Sequence, residues 1–325
     1  MSSLRPLART LGSRAYATVS AGTPSPIHSA PEPIHIVTSE LDTTLLNSIS
    51  ASQTGLRALI HEYTERSGRV LDSSLRYESR PADSRRITFD NGSSVAMIAH
   101  CVNDGMGRHK VTVSSGFALA IPGETDGSLV LTCAHTLEEI RRSPFLLDGD
   151  DAGRASGSFL VSGPAGSLSV NPISAVVSAI PRSDILLLKT APASPLPTLP
   201  VSPYPVQRET AIRAHFVTHE RPQEDGWTPW VGDTWSKWVR GTVLGYRDFA
   251  GRETQPGTYD SLSHMLFSPL PTPGSSGGPI VDEESGAVVG VMLGTRMDNR
   301  VEGVRGWGIP AETIFELFRL PGLWK

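Results

Sequence analysis

From about residue 86 onward the chain is a succession of short apolar runs, each ended by turn residues, and this pattern constrains its fold more than any other feature. The runs are Ser94–Cys101, Lys110–Ile121, Ser128–Cys133, Ser158–Val161, Asp184–Thr190, Ala211–Val217, Val239–Tyr246, Met265–Phe267, Pro279–Val281 and Ala287–Leu293. Turn signals such as Asn91-Gly92, Asp104-Gly105 and Asp126-Gly127 fall between them, drawn from 31 Gly and 26 Pro. Many short strands at this spacing predict an all-β sandwich or barrel. At 325 residues with 38% hydrophobic content the chain can bury a substantial core. The net charge of -4 gives no basic excess and no reason to expect a nucleic-acid partner. No apolar run approaches the ~20 residues of a membrane-spanning helix.

The first acidic residue is Glu32, and before it stand Arg5, Arg9 and Arg14 among several Ser and Thr. Leu4, Leu7 and Leu11 share one face if this stretch is helical. An amphipathic, Arg-rich, acid-poor start describes a mitochondrial presequence over residues 1–18, with cleavage near Tyr16 or Ala17; the alternative is a basic tail. With no stop-transfer segment behind it, the expected destination is the matrix rather than the intermembrane space. Residues 19–85 read as linker and extension. Within them Leu56, Leu59, Ile60 and Tyr63 recur at helical spacing ahead of Gly68. Near the C-terminus Ile314, Leu317 and Phe318 form a short helical face between Pro310 and Pro321. Two cysteines, Cys101 and Cys133, are few for a secreted protein of this size and favour two thiols over one bridge.

Three motifs carry chemistry. Pro273-Gly274-Ser275-Ser276-Gly277-Gly278-Pro279 sets a serine on a tight turn with backbone N–H groups close by, as a nucleophile requires. Leu131-Thr132-Cys133-Ala134-His135 ends an apolar strand on an imidazole. Ser183-Asp184-Ile185-Leu186-Leu187-Leu188 puts a carboxylate at the mouth of an apolar strand, where burial demands a hydrogen-bonding partner such as a His N–H. An α/β-hydrolase would place its His after the nucleophile, whereas all nine histidines precede Ser276.

In this order, with 49 residues from His135 to Asp184 and 92 from Asp184 to Ser276, the motifs resemble those of the trypsin-like serine peptidases. The HtrA-type branch is the most similar, on Pro273–Pro279, Gly290–Leu293 and Gly306-Trp307-Gly308-Ile309-Pro310. The resemblance covers residues 86–320. It implies two six-stranded antiparallel β-barrels, the first over about 86–198 and the second over about 199–312, in a peptidase domain spanning 86–325. The helical extension precedes this domain and a short helix closes it.

The same resemblance implies a His135–Asp184–Ser276 triad, an oxyanion hole of the Gly274 and Ser276 N–H groups, no cofactor or metal, and protein or peptide substrates. It places Leu270, six before the nucleophile, at the base of the specificity pocket, and Val291, Met292 and Leu293 on the strand that pairs with substrate. Small or aliphatic residues are then expected before the cut. The chain departs from the family's secreted members at Ser275, where they carry an Asp. A PDZ module, which HtrA-type members normally carry after the peptidase region, is not expected here. The rival reading is a trypsin-fold binding module without activity. Trp227, Trp230, Trp235 and Trp238 are expected to pack a barrel and hairpin rather than to form a binding surface.

Overall fold

A computed structural model of the chain describes residues 15–16, 39–52, 54–89, 94–105, 107–122, 127–147, 155–190 and 196–320. The Arg-rich stretch, apart from Ala15–Tyr16, and the 19–34 segment lie outside the described residues.

Twelve strands form two closed barrels. The first uses β1 (Val95–Asn103), β2 (His109–Leu119), β3 (Leu129–Cys133), β4 (Ala155–Ser162), β5 (Ser169–Ile180) and β6 (Ile185–Thr190). They run β2-β1-β4-β5-β6-β3, and β3 pairs back onto β2. The second uses β7 (Ala211–Thr218), β8 (Trp235–Arg247), β9 (His264–Ser268), β10 (Pro279–Asp282), β11 (Val288–Asn299) and β12 (Gly303–Pro310). Their order is β8-β9-β12-β11-β10-β7, closed by β7 on β8. All pairings around both rings are antiparallel, so the fold is the double six-stranded barrel that the resemblance implies. Two-residue strands, Ala15–Tyr16 and Thr198–Leu199 on β2 and Thr228–Pro229 and Glu253–Thr254 on β8, lie outside the rings.

The apolar runs are continuous because both faces of many strands are buried. Along β1, Val95, Met97, Ala99 and Cys101 join a core that continues into barrel two, while Ala96, Ile98 and Val102 join a separate core. Ile185 and Leu187 of β6 divide from Leu186 and Leu188 in the same way. Two helices of the extension cover barrel one. The helix expected near residue 60 is α2 (Leu56–Glu65), which buries Leu56, Leu59 and Tyr63. No element was expected at α1 (Glu40–Ser48), which is capped by the Ser39 hydroxyl and buries Leu41 and Leu45 completely. Following β3 come α3 (His135–Arg141) and α4 (Pro144–Leu147). The closing helix, α5 (Glu312–Phe315), is shorter than its apolar face suggests, and Pro310 ends β12 instead of starting it. Among the described residues no helix is long and apolar enough to cross a membrane.

Trp230 and Trp238 are buried and flank His215, each with its ring centroid 5.1 Å from the imidazole. Burial without a hydrogen bond to either ring nitrogen lowers the His215 pKa to about 3. Burial also lowers His100, which bonds Ser158 Oγ at 2.8 Å, to about 4.

Both groups bind protons more readily in the unfolded chain. Their contribution to stability is therefore complete above the unfolded imidazole pKa of about 6.5 and is lost as pH falls toward the folded values. Denaturant melts should show stability declining from pH 6.5 to pH 4, by about 1.4 kcal/mol per pH unit for each histidine. His215→Leu should reduce that slope by one histidine's share.

Candidate active site

The sequence puts a lone acid before a strand with no polar side chain in its first four positions, and the backbone there turns sharply. A 3-10 turn over Pro181–Ser183 delivers Asp184 into the left-handed region, at φ 55 and ψ 37, a conformation that Asp tolerates better than most residues. This aims the carboxylate at the end of β3. Its Oδ1 accepts the backbone N–H groups of His135 (2.7 Å) and Ala134 (3.0 Å). Its Oδ2 accepts His135 Nδ1–H at 2.5 Å. The ring is thus oriented by the same carboxylate that fixes its own backbone, and Nε2 is left as the working nitrogen.

Barrel two presents the nucleophile turn between β9 and β10. Ser115 of β2 holds it: its N–H donates to the Ser276 carbonyl at 2.8 Å and its hydroxyl to the Gly274 carbonyl at 3.0 Å. Thr132 Oγ1 in turn donates to the Ser115 carbonyl at 2.7 Å. Gly277, at φ 82, packs so closely that a Cβ there would stand 2.2 Å from the Ser115 carbonyl and 2.8 Å from the Cys133 nitrogen. Only glycine fits, and its fit sets the turn against the strand end that carries His135.

The structure brings His135 and Asp184 into contact but does not join Ser276 to His135. Ser276 Oγ donates to the Leu293 carbonyl at 3.0 Å, and His135 Nε2 lies 3.6 Å from Cys133 Sγ. Burial pushes the His135 pKa down, but the Cys133 sulfur and the Asp184 carboxylate outweigh it and hold the pKa well above the ordinary value. Neither the Gly274 nor the Ser276 N–H donates to an acceptor among the described residues. Ser275 is fully buried; its hydroxyl accepts Val217 N–H at 2.9 Å and meets Thr272 Oγ1 at 2.9 Å. The turn is therefore held without the acid that the family's secreted members carry at this position.

Leu270 is 49% exposed and opens onto a groove of about 680 Å³ shared with Phe216, Trp227, Val239, Pro269 and Thr272. This groove lies on the β7–β8 side of the nucleophile loop. Val291, Met292 and Leu293 lie on β11, away from it. The first two are wholly buried. Val291 pairs with both Pro279 and Ile309, and the Met292 backbone bonds Gly277 and Gly278. From Leu293 to Asp298, β11 has no strand partner on the side opposite β12 among the described residues. The edge open to a substrate strand thus starts at Leu293.

Ser115 carries no motif and escapes sequence reasoning, and Thr132 lies inside the His135 motif with no role of its own read there. Cys133 is inside the His135 motif but reads there as a small buried strand residue. Both cysteines are free and buried. No group of three or more His, Cys, Asp or Glu is placed to hold a metal among the described residues.

A family model described as the trypsin-like peptidase domain matches residues 114–291, more than half of the chain. No curated protein sequence matches. Among solved structures, the chain is similar to Deg5, at 16% identity over 69% of this chain and 87% of that one, with a TM-score of 0.43. It is also similar to the MamO protease domain of Magnetospirillum magneticum, at 18% identity over 66% and 93%, with a TM-score of 0.38. A third is Rv3671c of M. tuberculosis H37Rv, at 19% identity over 69% and 86%, with a TM-score of 0.39.

Ser275→Ala strands the buried Val217 N–H and should cost about 1–3 kcal/mol of stability in a denaturant melt, while Ser276 stays in place.

Proposed function

Because the chain belongs to the trypsin-like peptidase domain family, we propose that it is a serine endopeptidase that cleaves through an acyl-enzyme on Ser276. The observation that carries this reading is the Asp184 carboxylate, which takes His135 Nδ1–H and the His135 backbone N–H together and so leaves Nε2 to act as base. Ser276 Oγ attacks the scissile carbonyl carbon and its proton passes to Nε2. The oxyanion is received by the N–H groups of Gly274 and Ser276, each of which typically contributes about 10²–10³ in kcat. The imidazolium, stabilised by Asp184, protonates the departing amine, and water then hydrolyses the ester by the same route in reverse. No cofactor or metal enters any step.

In the resting arrangement Ser276 must leave the Leu293 carbonyl to reach His135. A peptide adding as a strand beyond Leu293 competes for that carbonyl and frees the hydroxyl. Loose contacts between base and nucleophile are common in unliganded enzymes and tighten with substrate. Leu293 at the start of the open β11 edge supports a preference for small or aliphatic residues before the cut, as does the apolar Leu270 that the family resemblance assigns to the specificity pocket. A peptide-library digest should show cleavage after Ala, Val, Leu or Met, and Ser276→Ala should abolish it without unfolding the chain. A profile dominated by Arg, Lys or Asp would contradict the preference. A folded chain that cleaves nothing would favour the inactive binding module.

The N-terminal Arg-rich pattern supports import into mitochondria, with the matrix as destination. The mature protein should begin near Ala17 and resist added protease until the inner membrane of isolated mitochondria is opened. A full-length protein in the cytosol would contradict this address.

A further inference from the structure

Two polar groups of the site, His135 Nε2 and Ser276 Oγ, have settled away from the bond that catalysis needs. His135 Nδ1 is committed to Asp184 at 2.5 Å, so only Nε2 can receive a proton. Nε2 is met at 3.6 Å by Cys133 Sγ, which also lies 4.0 Å from Thr136 Oγ1. Ser276 Oγ, the group Nε2 must serve, is bound to the Leu293 carbonyl instead. Cys133 is fully buried at the end of β3, two residues before the base. A thiol there is suited to either charge state of the ring: S–H donates to a neutral Nε2, and sulfur accepts from a protonated one.

We infer that Cys133 is a positioning residue for the base: its sulfur holds His135 Nε2 apart from Ser276 until a substrate chain takes over the Leu293 carbonyl and returns the hydroxyl. This rests on the endopeptidase reading and deepens it, because it makes assembly of the triad depend on substrate pairing. A Cys133 that served only as core filling would affect stability and leave the base untouched.

The charged and titratable groups around His135 are few. Glu138 and Arg141 on α3 pair with each other, and Glu139 pairs with Lys110 of β2. Tyr63 of α2 is raised by burial and by the nearby Glu138 and Asp184. Barrel two contributes Ser276 and the Leu293 carbonyl, both uncharged. Only Cys133 and Asp184 act on His135 strongly enough to raise it against the effect of burial. Removing the sulfur should therefore lower the pKa of the base and free Nε2 at the same time.

The test uses the full chain and follows the rate of inactivation by a fluorophosphonate against pH for the wild type, Cys133→Ala and Cys133→Ser. In parallel, the His135 ring is titrated by NMR in the absence of any probe. The acidic limb of the inactivation rate should move to lower pH in Cys133→Ala, with more free base than the wild type at any pH on the limb. Cys133→Ser should fall between, since a hydroxyl can keep a hydrogen bond to Nε2 but is smaller than the thiol. The NMR titration should show the same downward order.

A folded Cys133→Ala whose limb and His135 titration coincide with the wild type would overturn the inference. If the Ala variant does not fold, the Ser variant decides by the same comparison. Should the wild type fail to react at any pH, the endopeptidase reading fails instead, and the His135 titrations still decide the role of Cys133.

Discussion

Ser115 is the residue through which barrel one holds the Ser276 turn of barrel two. Its N–H and hydroxyl take the carbonyls of Ser276 and Gly274, two residues apart on the same turn. These bonds fix the turn's backbone, and Gly277 pressed against the Ser115 carbonyl fixes its distance from β3. Everything else at the site depends on that seam. The Gly274 and Ser276 N–H groups belong to the turn, His135 to the strand end beside it, and neither barrel alone holds both. Every acceptor in the seam is a backbone carbonyl, met by one backbone N–H and two side-chain hydroxyls.

On the barrel-one side the corresponding constraint is Asp184. A single carboxylate accepts three N–H groups from Ala134 and His135, so the backbone step onto α3 and the tautomer of the ring are set together. The left-handed corner that allows this is paid for by those bonds. Asp184 and the seam together define where a base and a nucleophile sit. The remaining freedom is torsional, in Ser276 and in the partner of Nε2. The resting molecule uses that freedom to satisfy both groups elsewhere, through the Leu293 carbonyl and the Cys133 sulfur.

Much of this was legible in the sequence, for physical reasons that differ by element. Strands such as β1 and β6 are buried on both faces and announce themselves as continuous apolar runs. β5 does not, since Pro172 lies within it and two bulges, at Ile173–Ala175 and Val176–Ser178, break its alternation. β12 was visible only as a family-like string. Its Gly308 serves a close approach, where a Cβ would stand 2.4 Å from the Val291 carbonyl, and glycine carries little strand signal. The triad residues sit in motifs because the chemistry fixes their near neighbours in the chain. Ser115 is separated from the turn it holds by more than 150 residues, and no local pattern marks such a partner. Of the expected pairing segment, Val291 and Met292 are paired within barrel two, and the edge opens at Leu293, where pairing with β10 and with Gly277–Gly278 has ended.

The central claim is that Ser276 is a covalent nucleophile activated by His135. Intact-mass analysis after reaction with a fluorophosphonate, followed by peptide mapping, tests it most directly. The account predicts one adduct per chain, carried on Ser276 Oγ and lost in His135→Ala. An adduct on the buried Ser275, or none on a folded wild-type chain across the neutral pH range, would contradict it.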